Sequence, residues 1–452
     1  MQPTKAEEKK AGARSIAPSS SAPQIIDLPT ALRLAGAQNL DVQIARQRLG
    51  EARANHAMVR EQFFPWLMPG FTYSRDDGQL QETSGNIVNV SRQSYSLGAN
   101  VAAELELGET YFKELASRQL VRAADHNLQA EQQQSVFTAG AQYFELARAR
   151  AAVEVAREAI RISTDYEQQL QQVVEVGRAF KGDLLRVKVQ TGHDQLALRR
   201  ALEQQRLAAA RLAQTLRLDA TVELVAADTD PLPLTLVATN QALDSLVAQA
   251  LNARPELRQS QALVAAARRE KQGVTYGPLV PTVGAQMFFG GLGGGFNSDF
   301  GNFGDREHYQ LLLGWRLGPG GLFDKPRIEA SAARLEGARL QTEKLKDEIV
   351  RQVVEAFTRS QSLRDQLATT LRTLSAAEET LRLSRERKEF GVGIVLEYIQ
   401  AGQELTRARN DYLTTVAEHN QAQFSLYTAL GQPASAALSQ AKPLTAPVPP
   451  AK

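Results

Sequence analysis

Gly177, Asp183, Leu185 and Leu216 recur as Gly391, Glu397, Ile399 and Leu430, each 214 residues later. Upstream, Pro65 after Phe63-Phe64 answers to Pro281 after Leu279-Val280, and Gly108 after Leu107 answers to Gly318 after Leu317. A period this long exceeds the roughly 20–50 residues of a solenoid unit. The chain is therefore read as a duplicated half, and whatever fold one half adopts the other must repeat.

Composition narrows the class. Hydrophobic residues make up 43% and charged residues 23%, but aromatics only 6%, low for a chain dominated by globular cores. Long stretches of Ala, Gln, Glu, Arg and Leu have the composition of long helices and coiled coils. A net charge of +2, without a Lys/Arg run, points away from nucleic acid. The absence of cysteine excludes disulfides, thiol catalysis, Cys-based zinc sites and an acylated N-terminal cysteine on this chain. Residues 1–26 read as a disordered polar leader: Lys5, Glu7, Glu8, Lys9, Lys10 and Arg14 leave no apolar core for a secretion signal. No apolar run is long enough for a membrane-spanning helix, which leaves barrel strands open.

The first half, 27–218, reads as helix, two strands, long helix, helix. Asp27 before Pro29 is a possible N-cap for a helix reaching about Gln62. Ser94 to Leu105 alternates with a period of two, setting Tyr95, Leu97, Ala99, Val101, Ala103 and Leu105 on one face. Leu67 to Arg75 is a weaker strand candidate, interrupted by Pro69, and the polar Asp76–Asn89 stretch reads as a loop. Glu109 to about Val176 is one long helix, with a 3-4 seam at Leu146, Ala149, Val153, Ala156, Ile160, Ser163, Glu167, Leu170 and Val174. Gly177 to Gly182 breaks it, and Asp183 is placed to cap a second helix running to about Arg217.

Residues 219–240, with Pro231 and Pro233, read as a linker. The second half, 241–432, repeats the plan: helix to Gly273, strands at Thr282–Gly290 and Glu307–Leu317 around a Gly/Asn/Asp loop, a long helix from Lys325 to Phe390, and a last helix to Leu430. Tyr309, Leu311, Leu313, Trp315 and Leu317 alternate onto one face. Leu367, Thr370, Leu374, Ala377, Leu381, Ser384 and Lys388 repeat the helical seam at the same offset. The tail, 433–452, reads as disordered.

A helix of about 65 residues is roughly 100 Å long, more than a globular domain needs. Two strands per half suit tilted bilayer-crossing strands, with Tyr95, Tyr309 and Trp315 as girdle aromatics. Four strands cannot close a barrel, and an open edge in lipid strands backbone groups at several kcal/mol each. Copies must pool strands; three copies of four strands give twelve, enough for an open lumen, whereas eight are normally filled by side chains. The same alternation also fits a soluble hairpin sheet capping a coiled-coil rod.

The bend motifs, Val176-Gly177-Arg178-Ala179-Phe180 leading to Asp183-Leu184-Leu185 and Phe390-Gly391-Val392-Gly393 leading to Glu397-Tyr398-Ile399-Gln400-Ala401, together with the repeated Pro65 and Pro281 junctions, resemble the TolC-like outer-membrane efflux family of Gram-negative bacteria. The resemblance covers about residues 27–432. It implies a mostly α fold with a small transmembrane β part: a homotrimer in which each protomer gives four strands to a shared twelve-stranded barrel in outer-membrane lipid and its helices to a periplasmic tunnel. It further implies a periplasmic adaptor at the helix bends and, through it, an inner-membrane pump.

On that resemblance Gly177, Arg178, Ala179, Phe180, Gly391, Val392, Gly393 and Ile394 are candidate adaptor contacts; equally, the glycines supply the backbone freedom of a helix stop. Tyr95, Leu97, Val101, Tyr309, Leu311, Leu313 and Trp315 are candidate lipid-facing residues. Asp183 and Glu397 are possible mouth carboxylates, or simply acids favouring a helix dipole. Gly290-Gly291-Leu292-Gly293-Gly294-Gly295 lacks the Lys-Ser/Thr ending of a phosphate loop and reads as a loop between strands. Five scattered histidines form no metal spacing, and no catalytic pair stands out. The reading is a passive exit duct with no enzyme activity, metal or cofactor. The alternatives are a coiled-coil scaffold without channel activity, or the same fold serving secretion of a polypeptide.

Overall fold

The computed structural model describes residues 24–219, 222–228, 230–238, 241–296, 300–389, 394–432 and 442–443. The first half runs β1 (Gln24–Ile26), α1 (Leu28–Gln38), α2 (Leu40–Glu61), β2 (Trp66–Gln81), β3 (Ile87–Leu105), α3 (Leu107–Glu175) and α4 (Lys181–Leu216). Short strands β4 (Leu224–Ala226) and β5 (Leu234–Thr235) follow. The second half repeats the order as α5 (Leu243–Ala253), α6 (Pro255–Tyr276), β6 (Thr282–Phe296), β7 (Gly304–Gly314), α7 (Lys325–Glu389) and α8 (Val395–Ala429), and β8 (Lys442–Pro443) lies beyond it. The duplication thus holds element by element: α3 and α7 have 69 and 65 residues, α4 and α8 have 36 and 35.

Local chemistry sets the boundaries. The Asp27 carboxylate accepts from the Thr30 N–H at 3.3 Å, so the expected cap of α1 is present. The single helix expected to Gln62 is instead two, because the Asn39 side chain accepts from the Asp41 N–H (2.8 Å) and starts a new helix. Asp324 likewise opens α7, accepting from the Arg327 N–H at 3.2 Å and the Gly320 N–H at 2.8 Å.

The strands outrun their expected lengths. Asp76–Asn89 was expected as a loop, yet β2 and β3 pair from Trp66↔Ala102 to Gln81↔Ile87. Charged pairs hold that polar end: Arg92 and Asp76 face each other in register at 3.0 Å, and Arg75 meets Asp77 at 2.6 Å. Likewise β6 continues through the glycine run to Phe296, and β7 starts at Gly304. Trp315 and Leu317, expected in the last strand, lie beyond its end at Gly314. The tail, expected to be without structure, contributes β8, antiparallel to β5; the rest of it lies outside the described residues, as does the leader before Gln24.

The chain divides into two compact units. One gathers Gln43–Glu131 and Leu251–Arg351 and contains a single antiparallel sheet in the order β2-β3-β6-β7. At its helical part the Arg327 guanidinium of α7 meets the Glu109 carboxylate of α3 at 2.7 Å, one partner from each half.

The other unit gathers the described residues of Met1–Val42, Gln132–Ala250 and Gln352–Lys452. Here much of the expected seams is buried: Leu146, Ala149, Val153, Ala156, Ser163 and Leu170 of α3 and Leu367, Ala377 and Ser384 of α7, while Ile160, Glu167, Val174, Thr370, Leu374, Leu381 and Lys388 are half-buried. In α4, Leu184, Thr191, Ala209, Leu212 and Leu216 are buried. Phe424 of α8 stacks on Phe137 and meets Phe144 edge-on.

The stretch expected as a linker is bound to α8 in this unit. Asn420 donates to the Leu232 carbonyl (2.9 Å) and accepts from the Leu234 N–H (2.7 Å), as a neighbouring strand would. Gln423 accepts from the Leu236 and Val237 N–H groups (3.1 and 3.2 Å) and donates to Ser360. Buried backbone must be paired, and here side-chain amides do the pairing.

Beside them His419 is fully buried with Nε2 3.1 Å from the Leu234 carbonyl. A carbonyl only accepts, so Nε2 carries the proton and Nδ1 is left bare, without a hydrogen-bond partner. Burial holds the imidazole below its ordinary pKa of 6.5, with the Arg364 charge acting in the same direction. A depressed folded-state pKa gives stability that is complete above the unfolded value and lost as pH falls. Thermal unfolding of the helical part should therefore weaken between about pH 7.5 and about pH 5, and His419→Gln, which keeps a donor, should flatten that slope. An identical slope in the variant contradicts the assignment.

Candidate functional site: a two-faced sheet and the helix bends

Paired residues on adjacent strands point to the same side, so the register fixes the faces of the sheet. Tyr95 faces Tyr73 and Gly293, Leu97 faces Phe71 and Gly291, and Val101 faces Leu67 and Met287. Met287 in turn faces Tyr309, Ala285 faces Leu311, and Val283 faces Leu313. Six of the seven candidate lipid-facing residues, Tyr95, Leu97, Val101, Tyr309, Leu311 and Leu313, therefore share one apolar face across all four strands. Trp315 lies past the strand end, its indole N–H donating to the Leu279 carbonyl at 3.2 Å. This face is open: Leu311 is 77% exposed, Phe71 64% and Leu97 60%.

The opposite face carries Thr72 and Ser74 of β2, Ser94, Ser96 and Asn100 of β3, Gln286 of β6, and His308 and Gln310 of β7, with Trp66, Met68, Phe288 and Leu312 among them. Sequence reading missed Leu67, Phe71 and Tyr73 as members of the apolar face because Pro69 and the two aspartates mask the alternation in β2. In β6 the same face passes through Gly291 and Gly293, which carry no hydropathy signal. The sheet ends at β2 and β7, each hydrogen-bonded on one side only among the described residues.

The bends lie in the other unit. Gly177 stops α3 in the left-handed region (φ +74°), with its N–H on the Val174 carbonyl (2.9 Å) and the Arg178 N–H on the Val173 carbonyl (3.0 Å). That is a Schellman stop, and an L side chain there costs about 1–2 kcal/mol. Phe180 is the N-cap of α4 without a side-chain bond, so Asp183, expected as the cap, instead sits in the first turn with its N–H on the Phe180 carbonyl (3.0 Å). Its carboxylate belongs to a first-turn acid that favours the helix dipole and is met by Arg186 at 3.2 Å. Glu397 stands in the equivalent place of α8, its N–H 3.2 Å from the Ile394 carbonyl and its carboxylate 2.7 Å from Arg387. Gly391, Val392 and Gly393 lie outside the described residues.

Behind the bends, Tyr166, Leu170, Leu184 and Val187 form a core to which Val174, Ala179, Val395, Tyr398 and Ile399 add. The Tyr166 and Tyr398 rings lie 4.5 Å apart, and the Lys388 ammonium sits 4.0 Å over the Tyr166 ring and 2.8 Å from Gln169. Burial pushes the Tyr166 hydroxyl up to about 12, so the ring stays neutral beneath the cation. Between α3, α4 and α8 a cavity of about 40 Å³ is lined by Ser163, Tyr166, Gln190, Asp194, Tyr398 and Gln403. Burial raises the Asp194 carboxyl, against hydrogen bonds from Ser163 and Gln190. The space suits a water, not a transported solute. At the helix ends beyond this core, Val176, Phe180 and Ile394 are 70%, 76% and 65% exposed, and Leu185 and Leu396 are exposed near them. Sequence spacing marked these bends but not the Tyr166–Lys388–Tyr398 contact, which joins residues far apart in the chain.

Among the described residues no cluster of His, Asp or Glu could hold a metal ion, and no helix is long and apolar enough to cross a membrane.

Residues 246–432 match the family of outer membrane efflux proteins. Among solved structures, the outer-membrane channel OprN is similar over 90% of both chains, at 22% identity and a TM-score of 0.75. The CmeC outer membrane channel of Campylobacter jejuni is similar over 89% of this chain and 85% of that one, at 14% identity and a TM-score of 0.78. CusC, a protein described through its folding and transmembrane channel formation, is similar over 94% and 99%, at 18% identity and a TM-score of 0.72. No curated protein matches by sequence. The second half therefore resembles outer membrane efflux proteins, and over nine-tenths of its length the chain has the TolC-like fold of these outer-membrane channels.

Proposed function

We propose that this protein is the passive outer-membrane duct of a tripartite exporter. Three copies pool their sheets into one barrel, solutes leave through its lumen, and an inner-membrane pump working through a periplasmic adaptor supplies the energy. The observation that carries this reading is the sheet: four strands with an open apolar face, a largely polar opposite face and two unpaired edges. A soluble scaffold has no use for an uncovered apolar face of this extent, since exposed patches of more than a few hundred Å² mark interaction sites. In a bilayer the apolar face meets lipid and the polar face lines water. The efflux-family match and the channel fold support the same assignment.

Leu311 and Gln310 test it side by side, because neighbours on one strand face opposite ways. With the purified trimer folded into liposomes, Leu311→Arg should destabilise the barrel by about 2–4 kcal/mol, the cost of a cation facing mid-bilayer lipid. Gln310→Arg should leave folding intact and shift the ion selectivity of the conductance. Equal tolerance of both substitutions contradicts the lipid and lumen assignment.

The adaptor reading extends to the tip. Phe180 and Ile394 are the apolar side chains a partner would cover, and Arg178 precedes Phe180 by two residues. Phe180→Asp with Ile394→Asp should reduce crosslinking to the adaptor severalfold while the trimer persists in mild detergent. Undiminished crosslinking contradicts the tip as the contact.

A further inference from the structure

Residues 300–303, just ahead of β7, lie over the apolar face of the sheet. Phe300 stacks on Tyr73 (6.3 Å) and lies against Tyr95 (5.9 Å), and Phe303 stacks on Tyr95 at 5.7 Å. Two hydrogen bonds fasten this segment: the Tyr95 hydroxyl donates to the Phe300 carbonyl (2.5 Å), and the Gly294 N–H donates to the Gly301 carbonyl (3.0 Å). The strand beneath is cut to receive it. A Cβ on Gly291 would stand 2.0 Å from the Phe303 ring, and one on Gly293 would stand 2.5 Å from the Tyr95 ring. The glycine run is therefore the floor on which the rings lie, as aromatics elsewhere shield glycines in strands. Gln93, on the same face, is only 5% exposed and accepts from the Tyr73 hydroxyl at 3.1 Å.

Phe300 and Phe303 nevertheless remain 60% and 55% exposed. They sit between two zones of one face: the apolar band of Leu97, Phe71 and Leu311 on one side, and the Arg75–Asp77 pair near the β2–β3 hairpin on the other. That is the position of an interfacial girdle, where amphipathic rings meet the junction of hydrocarbon and headgroups. Both tyrosine hydroxyls are satisfied within the protein, so the platform turns no unpaired donor toward lipid. It lies on the face of the sheet over β2, β3 and β6, whereas pairing between copies runs through the strand edges in the plane of the sheet and leaves that face uncovered.

We propose that Phe300 and Phe303 form a flap that seats the barrel at the acyl–headgroup boundary of a lipid bilayer. The inference rests on the apolar face being lipid-facing, and its test separates the two. The chain has no native cysteine, so Phe300→Cys, Phe303→Cys and Leu311→Cys can each carry one fluorophore on the trimer in phosphatidylcholine vesicles. Nitroxides placed shallow or deep on the acyl chain, and aqueous iodide, serve as quenchers. At 300 and 303 the shallow nitroxide should remove more emission than the deep one, and iodide should remove little; at 311 the deep nitroxide should remove more. Iodide quenching with no lipid quenching at 300 and 303, while 311 is quenched by lipid, overturns the flap and leaves the wall assignment standing. No lipid quenching at 311 either overturns both. Phe303→Trp, read as lipid-quenched emission added to that of Trp66 and Trp315, serves if a label disturbs assembly.

Discussion

A backbone N–H or C=O facing hydrocarbon without a partner costs several kcal/mol, and among the described residues β2 and β7 each leave one edge of this sheet without a strand neighbour. Among the described residues nothing hides the band of Leu311, Phe71 and Leu97 on its apolar face. In a bilayer, a ring of such sheets would satisfy both the edges and the face. Burying the apolar face in water instead would need a covering layer, and the described residues place none over the band of Phe71, Leu97 and Leu311.

The duplication fits that demand. Each half supplies one strand pair and two long helices in the same order, and the halves are joined within one sheet by the antiparallel pairing of β3 with β6. A doubled unit contributes two hairpins at once, so fewer copies close the ring. The segment between the halves is held to α8 by Asn420, Gln423 and His419, whose side chains pair its backbone groups. At the bends the two halves use the same device, an acid in the first turn after a break, but the packing behind them differs. The Tyr166–Tyr398 contact with Lys388 above it has no counterpart at the matching offset.

Long helices were legible because their seams repeat over many turns: Leu146, Ala149, Val153, Ala156, Ser163 and Leu170, and Leu367, Ala377 and Ser384, are buried where the spacing placed them. The alternating strand β3 was legible for the same reason, and with it Tyr95, Leu97 and Val101. What the sequence hid were features made by long-range pairing. Asp76 looks like a loop residue until Arg92 faces it across the hairpin. Gly291 and Gly293 look like a flexible loop until Phe303 and Tyr95 lie over them. Asp183 looked like a cap from its distance to the glycine break, yet the helix begins two residues earlier, at Lys181. Spacing finds the element; only the register shows which residues meet.

Closure of the ring between copies is the claim on which the account stands, and a disulfide scan across the two free edges reads it directly. The chain lacks cysteine, so pairs with one cysteine on β2, such as Phe71→Cys, and one on β7, such as Tyr309→Cys, report only the contacts they are built to report. Stepping the pair along both strands and oxidising in membranes should give, at the correct register, a covalent species of three chains and nothing larger. Monomer alone at every register, with the protein folded and membrane-bound, would contradict the shared barrel.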